Sequence, residues 1–254
     1  MGHKGIQGQL SLEEVGKGMP PGDPIANGYP YYWQNIERLI LVWETDLEAC
    51  RRLCPEFLEV DPASTARVVF YNFQFCTAGP YQEASLQFKV FFEGQPYWYE
   101  FKNIVNSDIG FATGREVLGI PKKMGWLTWE KDVQYGLNVS VGRGSSIPVM
   151  TASFLPIAPT EMADEPPSVS VRVIPHPEGG KPQITLINSQ DPSDAKFELH
   201  EGGFVYAGRG SVAFHANSLM DAWHEFRVQR LLSAEFLGGS NRFSVGNGVI
   251  LAEL

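Results

Sequence analysis

Runs of β-branched and aromatic residues, cut at short intervals by Gly, Pro, Asn and Asp, most limit what this chain can fold into. They occupy residues 38–45 (RLILVWET), 65–75 (TARVVFYNFQF), 85–94 (SLQFKVFFEG), 96–105 (PYWYEFKNIV), 168–175 (SVSVRVIP), 204–214 (FVYAGRGSVAF) and 246–254 (GNGVILAEL). Each run predicts a strand, and their number predicts a mainly β (α+β) protein built as a closed or sandwich-like antiparallel structure. Two segments read as peripheral helices. In TDLEACRRLCP (45–55), Thr45 or Asp46 can cap the start and Pro55 stops the run. In NSLMDAWHEFRVQRLLSAEF (217–236), apolar residues recur at helical spacing. The Pro-rich stretch 155–168 (LPIAPTEMADEPPS) interrupts the pattern, but strands resume after it without a change in composition. It is therefore expected to be a long surface loop inside one domain of residues 1–254, with residues 1–23 as a loosely ordered arm.

Composition excludes some functions. The 254 residues are 43% hydrophobic, enough to fill a core, and the net charge of −9 leaves no basic stripe for a phosphate backbone. Nucleic acid is not an expected partner. The first twenty residues hold no apolar run of signal-peptide length, and nowhere do eighteen apolar residues follow one another, so no membrane partner is expected either. Three cysteines, Cys50, Cys54 and Cys76, are an odd number and predict free thiols in a reducing compartment, with the cytoplasm as the expected location.

Several chemistries lack their residues. Cys50 and Cys54 can share a helix face, but no nearby His completes a zinc set, and buried thiols are the expectation. His176, His200, His215 and His224 are scattered without HxxxH spacing, so no metal is expected. The glycine pairs in GRGSS (142–146) and GRGS (208–211) lack the further glycine of a dinucleotide loop, and no GxSxG elbow occurs.

The stretch GREVLGIPKKMGW (114–126) is harder to set aside, because Lys122 and Lys123 stand among Ile120, Pro121, Met124, Trp126, Leu127 and Trp129. A lysine pair is ordinarily a solvated surface feature. A free lysine titrates near about 10.4, so few molecules carry the neutral amine at pH 7. Dehydrating the ammonium, or placing a second cation beside it, frees an amine that can attack a carbonyl. Both routes are open here. Adjacent residues on a strand face opposite ways, however, so Lys123 is expected to matter less than Lys122.

The pattern G-R-E-x-x-G-x-P-K-K-M-G resembles the signature of the acetoacetate decarboxylase family, whose first lysine forms a Schiff base with a ketone. Acetoacetate decarboxylase is itself the standing example of a lysine activated by a neighbouring cation. ETDLEACRRLCPEFLEVD (44–61), PYQE (80–83) and SVRVIPHPEGGKPQITLIN (170–188) carry the resemblance along most of the chain. It implies a large closed antiparallel β-barrel-like cone with a few peripheral helices, assembled as a homo-oligomer and working without a cofactor. It further implies Lys122 as nucleophile, Lys123 as its neighbour and Glu83, with Tyr81 near it, as acid or base.

Departures from the family refine the expected reaction. The resemblance places Ile36 where decarboxylases carry an arginine and Val68 or Val69 where they carry a second acid; a shift of one position would offer Glu37 or Arg38 instead. Relatives without that set include pyruvate aldolase-dehydratases and hydratases. The expected activity is therefore a Schiff-base lyase joining a 2-oxo acid, such as pyruvate, to an aldehyde with loss of water. Arg115, with Glu116 beside it, is the candidate holder of the substrate carboxylate, as a guanidinium clamps a carboxylate with two bonds. Glu253 is a further candidate near the C-terminus. Tyr81, Trp98 and Trp126 would suit a bulky aldehyde, and core packing explains them equally well. Decarboxylation of a 3-oxo acid is the alternative, and a noncatalytic small-ligand barrel is third.

Overall fold

The computed structural model describes residues 6–11, 13, 24–25, 30–134, 136–189, 197–215, 218–244 and 248–254. Most of the expected arm, residues 1–23, lies outside them. In chain order the elements are β1 (Tyr31–Glu44), α1 (Leu47–Leu53), β2 (Glu59–Val60), β3 (Thr65–Cys76), β4 (Tyr81–Phe92), β5 (Gln95–Val105) and α2 (Asp108–Glu116). There follow β6 (Lys122–Met124), β7 (Trp126–Asp132), β8 (Gly136–Gly142), β9 (Pro148–Pro159), β10 (Ser168–Ile174) and β11 (Gln183–Asn188), then β12 (Glu198–Phe214), β13 (Arg230–Ser244) and β14 (Val249–Glu253).

The fourteen strands among the described residues join one sheet, in the order β14-β11-β10-β5-β4-β3-β1-β13-β12-β9-β8-β7, with β2 on β4 and β6 on β5. The expected closed barrel is not what forms. The path ends at β14, paired only with β11, and at β7, paired only with β8, so among the described residues the sheet is not closed on itself. Alternation along a strand reports which side chains are buried; it carries no information on whether the last strand meets the first. Nor is the sheet wholly antiparallel. Strand β5 pairs in parallel with β10 at Trp98 and Tyr99 and with β6 at residues Asn103 to Val105.

Helix α1 forms as its residues require: Asp46 accepts a bond from the Ala49 amide at 2.9 Å, Arg51 and Arg52 lie in the last turn, and Ala49 and Cys50 are buried. The helix expected over 217–236 does not form. Residues 223–225 make a single 3-10 turn, and Arg230–Ser244 is a strand between β1 and β12. Neighbours on both sides bond its backbone, and a short apolar run cannot distinguish the two periods by itself. The 155–168 stretch continues β9 to Pro159, and the loop beyond it sends Glu165 back to Arg67.

Strands β1, β3 and β4 are buried on both faces. One face supplies Leu39, Leu41, Trp43, Val68, Phe70, Leu86 and Phe88 to the main core. The other supplies Ile36, Ile40, Val69, Tyr71 and Phe73 to a smaller cluster, against which Trp33 and Tyr81 pack. That second face also carries most of the buried charge.

Candidate functional site

Register places the charged residues of the second face in rows. Arg38 on β1 stands opposite Tyr71 on β3, which stands opposite Glu83 on β4, and Glu83 opposite Val105 on β5. The next row runs Ile40, Val69, Ser85, Asn103, and ends at Lys122 on β6. The third holds Val42, Arg67, Gln87 and Glu100. Neighbouring strands lie about 4.8 Å apart, so Arg38 and Glu83 are roughly 10 Å from one another across the face.

The segment 114–125 is shaped to deliver Lys122 into the second row. Helix α2 is capped by the Ser107 hydroxyl, which accepts from the Gly110 amide at 3.2 Å. Gly114 in its last turn faces the Lys122 side chain, and a Cβ there would stand 2.6 Å from Lys122 Cδ and Cε. Gly119 has a φ of +71° and packs against the Arg172 backbone of β10, so a side chain has neither room nor an allowed conformation. The Ile120 amide returns to the Gly114 carbonyl at 3.0 Å, and Arg115 Nη1 donates to the Lys122 carbonyl at 2.9 Å. These contacts fix where β6 begins.

Lys122 is 5% exposed and its Nζ lies 2.6 Å from Glu83 Oε2, itself on a residue 8% exposed. The Tyr81 ring centroid is 5.7 Å from the same Nζ. Burial, with Glu83 adding to it, holds the Tyr81 hydroxyl well above its ordinary value, so it is a neutral wall that accepts a bond from Trp33 Nε1 at 3.4 Å. Lys123 takes the opposite direction: its Nζ donates to Asp221 Oδ1 at 2.7 Å and to the Met220 carbonyl at 2.8 Å. Arg143 completes that pair from 3.3 Å. The two lysines thus serve different carboxylates on different sides of β6.

The other candidates lie elsewhere. Arg115 and Glu116 are exposed at the end of α2, and Arg115 holds backbone. Glu253 is exposed on edge strand β14 opposite Thr185. Trp98 stacks under the Arg67 guanidinium, 4.2 Å from its centroid, and Trp126 donates to the Ser145 carbonyl at 2.6 Å. Ile36 and Val69 both belong to the apolar cluster on the Lys122 face, whereas Val68 is in the main core. Arg38 is on the Lys122 face, within 3.5 Å of Glu235 and 3.7 Å of Glu165. Glu37 is bonded by Asn72 at 2.8 Å and paired with Lys131.

Sequence reasoning passed over a buried polar chain next to Lys122. Arg67 Nε donates to Gln87 Oε1 at 2.6 Å, Gln87 Nε2 to Ser85 Oγ at 2.9 Å, and Ser85 Oγ to Glu100 Oε1 at 2.7 Å. Asn103 Nδ2 donates to the same Glu100 oxygen at 2.8 Å. Burial, then the nearby Glu83 charge, raises the Glu100 carboxyl above its ordinary value; the Ser85 and Asn103 bonds and Lys122 only partly offset this. The one available signal was the polar alternation Glu83, Ser85, Gln87 along β4. Among the described residues no group of three or more His, Cys, Asp and Glu could hold a metal, and no helix is long and apolar enough to cross a membrane.

Comparison with known proteins identifies a family and a shared fold. The family model described as acetoacetate decarboxylase (ADC) matches residues 19–253. Decarboxylase DEC1 of Cochliobolus heterostrophus is 26% identical over 249 residues, covering 92% of this chain and 94% of its own. Among solved structures, the acetoacetate decarboxylase of Legionella pneumophila superposes with a TM-score of 0.81 at 18% identity, covering 100% of this chain and 99% of its own. The enduracididine biosynthesis enzyme MppR complexed with pyruvate superposes with a TM-score of 0.76 at 18% identity, covering 94% and 98% respectively. At those identities the two structures establish a shared fold.

Proposed function

The chain belongs to the acetoacetate decarboxylase family, and from that premise we propose that it is a Schiff-base lyase. Lys122 condenses with the ketone of a 2-oxo acid such as pyruvate, and the resulting enamine adds to an aldehyde before water is lost. One observation carries this reading. The buried face around Nζ offers a carboxylate at 2.6 Å, with Ile36 where the resemblance puts the arginine of a decarboxylase and, of Val68 and Val69, the two positions it offers for the second acid, Val69 on that face.

Glu83 does the first chemistry. Passing a proton from Nζ to Oε2 leaves a neutral amine and a carboxylic acid, so the nucleophile forms without changing the net charge of a buried site. Glu83 gives that proton to the ketone oxygen as the amine adds, and water takes the extra proton left on nitrogen; a carboxylate again once the iminium exists, Glu83 can take a proton from the carbon beside it, giving the enamine, and return it later. Enamine attack on an aldehyde followed by loss of water yields a 2-oxo-3-enoic acid bound to Lys122, released by hydrolysis. We assign the substrate carboxylate to Arg38, a cation on the Lys122 face, and give Arg115 the task of holding β6. Lys123 anchors the other side of that strand through Asp221. The fold shared with MppR, whose structure is that of a complex with pyruvate, supports the choice of 2-oxo acid.

A second reading, decarboxylation of a 3-oxo acid, is favoured by the near full-length relation to Decarboxylase DEC1. The apolar Ile36, Ile40 and Val69 would then desolvate the departing carboxylate. The test incubates the protein with pyruvate and benzaldehyde, following the conjugated product by ultraviolet absorbance, and separately with acetoacetate, measuring carbon dioxide. Product from the first and no gas from the second is the expected result; gas alone replaces the first reading by the second.

A further inference from the structure

Glu83 is not the only carboxyl group directed at this site. Glu100 is 5% exposed, at the end of a row of donors that all point toward it: Arg67 to Gln87, Gln87 to Ser85, Ser85 to Glu100. Its position depends on an irregularity in β5. Gln87 pairs with Glu100 but Leu86 pairs with Lys102, so Phe101 is bulged out of register. Glu100 and Asn103, three apart, consequently share the Lys122 face, while Phe101 and Ile104 face the main core. Asn103 is the register partner of Lys122 and donates to Glu100 Oε1, so the carboxyl is tied to the strand pair that carries the nucleophile.

The bonding pattern separates the two oxygens. Oε1 takes both donors, from Ser85 and Asn103, and no bond from the described residues reaches Oε2. An acid whose one oxygen is saturated with donors keeps its proton on the other. Burial, and then the nearby Glu83 carboxylate, hold the Glu100 carboxyl above its ordinary value, with Lys122 and the two donors offsetting this only in part.

Resting on the Schiff-base reading above, we propose that Glu100 is a general acid of the Lys122 site, giving its Oε2 proton to the hydroxyl expelled when the carbinolamine on Nζ becomes the iminium. The step balances. The nitrogen lone pair forms the C=N bond as the C–O bond breaks, the hydroxyl leaves with the Glu100 proton as water, and the iminium cation faces the Glu100 carboxylate. In product hydrolysis water adds to the iminium carbon, the C=N electrons return to nitrogen, and the water's proton restores Glu100. Glu83, which must be a carboxylate again to take the proton of the enamine carbon, need not supply the proton that leaves with the hydroxyl.

The experiment measures the rate of borohydride-trapped adduct with pyruvate, and with acetoacetate, from pH 5 to 9 for the wild type, Glu100→Gln, Ser85→Ala and Lys122→Ala. Glutamine can keep both bonds to Oε1 but has no acid to give. Glu100→Gln should trap roughly a hundredfold more slowly and lose the fall in rate that the proposal expects of the wild type as pH rises and Glu100 ionises. Ser85→Ala removes a bond that favours the carboxylate, so that fall should move to higher pH. Wild-type rates in Glu100→Gln, or a uniform slowing with the high-pH fall intact, would overturn the proposal. If Glu100→Gln does not fold, an unmoved fall in Ser85→Ala overturns it alone. No adduct in the wild type would instead sink the Schiff-base reading.

Discussion

Replacing Gly114 by alanine sets helix stability against the position of Lys122. Alanine is favoured over glycine in a helix interior by about 1 kcal/mol, and Gly114 has no positive φ that would forbid it. On local grounds the variant should be at least as stable as the parent. The new Cβ, however, would stand 2.6 Å from Lys122 Cδ and Cε and 3.1 Å from Nζ. Carbon atoms rest about 3.5–4.0 Å apart, so the lysine chain must retreat by about 1 Å. A retreat along the bond to Glu83 would stretch 2.6 Å to roughly 3.6 Å, beyond a hydrogen bond. Misplacement of a reacting group by about 1 Å costs roughly a hundredfold in rate. We expect Gly114→Ala to unfold within a few degrees of the wild type while its borohydride trapping with pyruvate slows about a hundredfold. A wild-type trapping rate in a folded variant would refute the argument that Gly114 makes room for the nucleophile.

Other perturbations separate the two lysines and the buried carboxyls. Lys122→Ala should abolish adduct formation, whereas Lys123→Ala, losing a pair with Asp221 that Arg143 still shares, should keep trapping within about tenfold and cost about 1 kcal/mol in denaturant unfolding. Comparable complete loss in both would restore the neighbouring-cation account. Because the Glu100 carboxyl is raised in the fold, its contribution to stability is present below its ordinary value of 4.5 and is lost as pH rises through the folded value. Glu100→Gln should therefore gain melting temperature relative to the wild type on going from pH 4 to pH 8; a constant difference would contradict this. Asp221 is lowered in net: burial pushes it up, but Lys123 and Arg143 outweigh that, so its stabilising effect at neutral pH is lost as pH falls below 3.8 and through the folded value. Asp221→Asn should make acid unfolding shallower over that range. Burial, with Asp46 and Cys54, pushes the Cys50 thiol up to about 12, and burial pushes Cys54 to about 11. Neither should react with iodoacetamide at pH 8 unless the protein is unfolded, as peptide mass spectrometry would read.

Much of the strand content could be read from the sequence, because runs such as RVVFYNFQF alternate between two buried faces and turn residues bound them. Sheet closure could not, since the pairing of edges is decided by twist and by partners far apart in the chain. The error at 217–236 has the same origin: Ala234 and Phe236 are buried by β1 and β12, which periodicity within the segment does not see. Helix α2 was missed because DIGFATGRE has two glycines and little amphipathic pattern, yet Gly110 and Gly114 are where Tyr81 and Lys122 approach it. The resemblance singled out Lys122 and Glu83, two residues 39 apart that the fold joins. Glu100 stayed hidden because period-two reading of PYWYEFKNIV places it opposite Asn103, and the bulge at Phe101 brings both to one face.

The central claim is that Lys122 forms a covalent imine with a ketone, and borohydride reduction in the presence of pyruvate, followed by peptide mass spectrometry, tests it most directly. The account predicts one reduced pyruvate adduct per chain, on Lys122, absent from Lys122→Ala and unaffected in position by Lys123→Ala. An unmodified chain with both pyruvate and acetoacetate, or an adduct on another lysine, would contradict it.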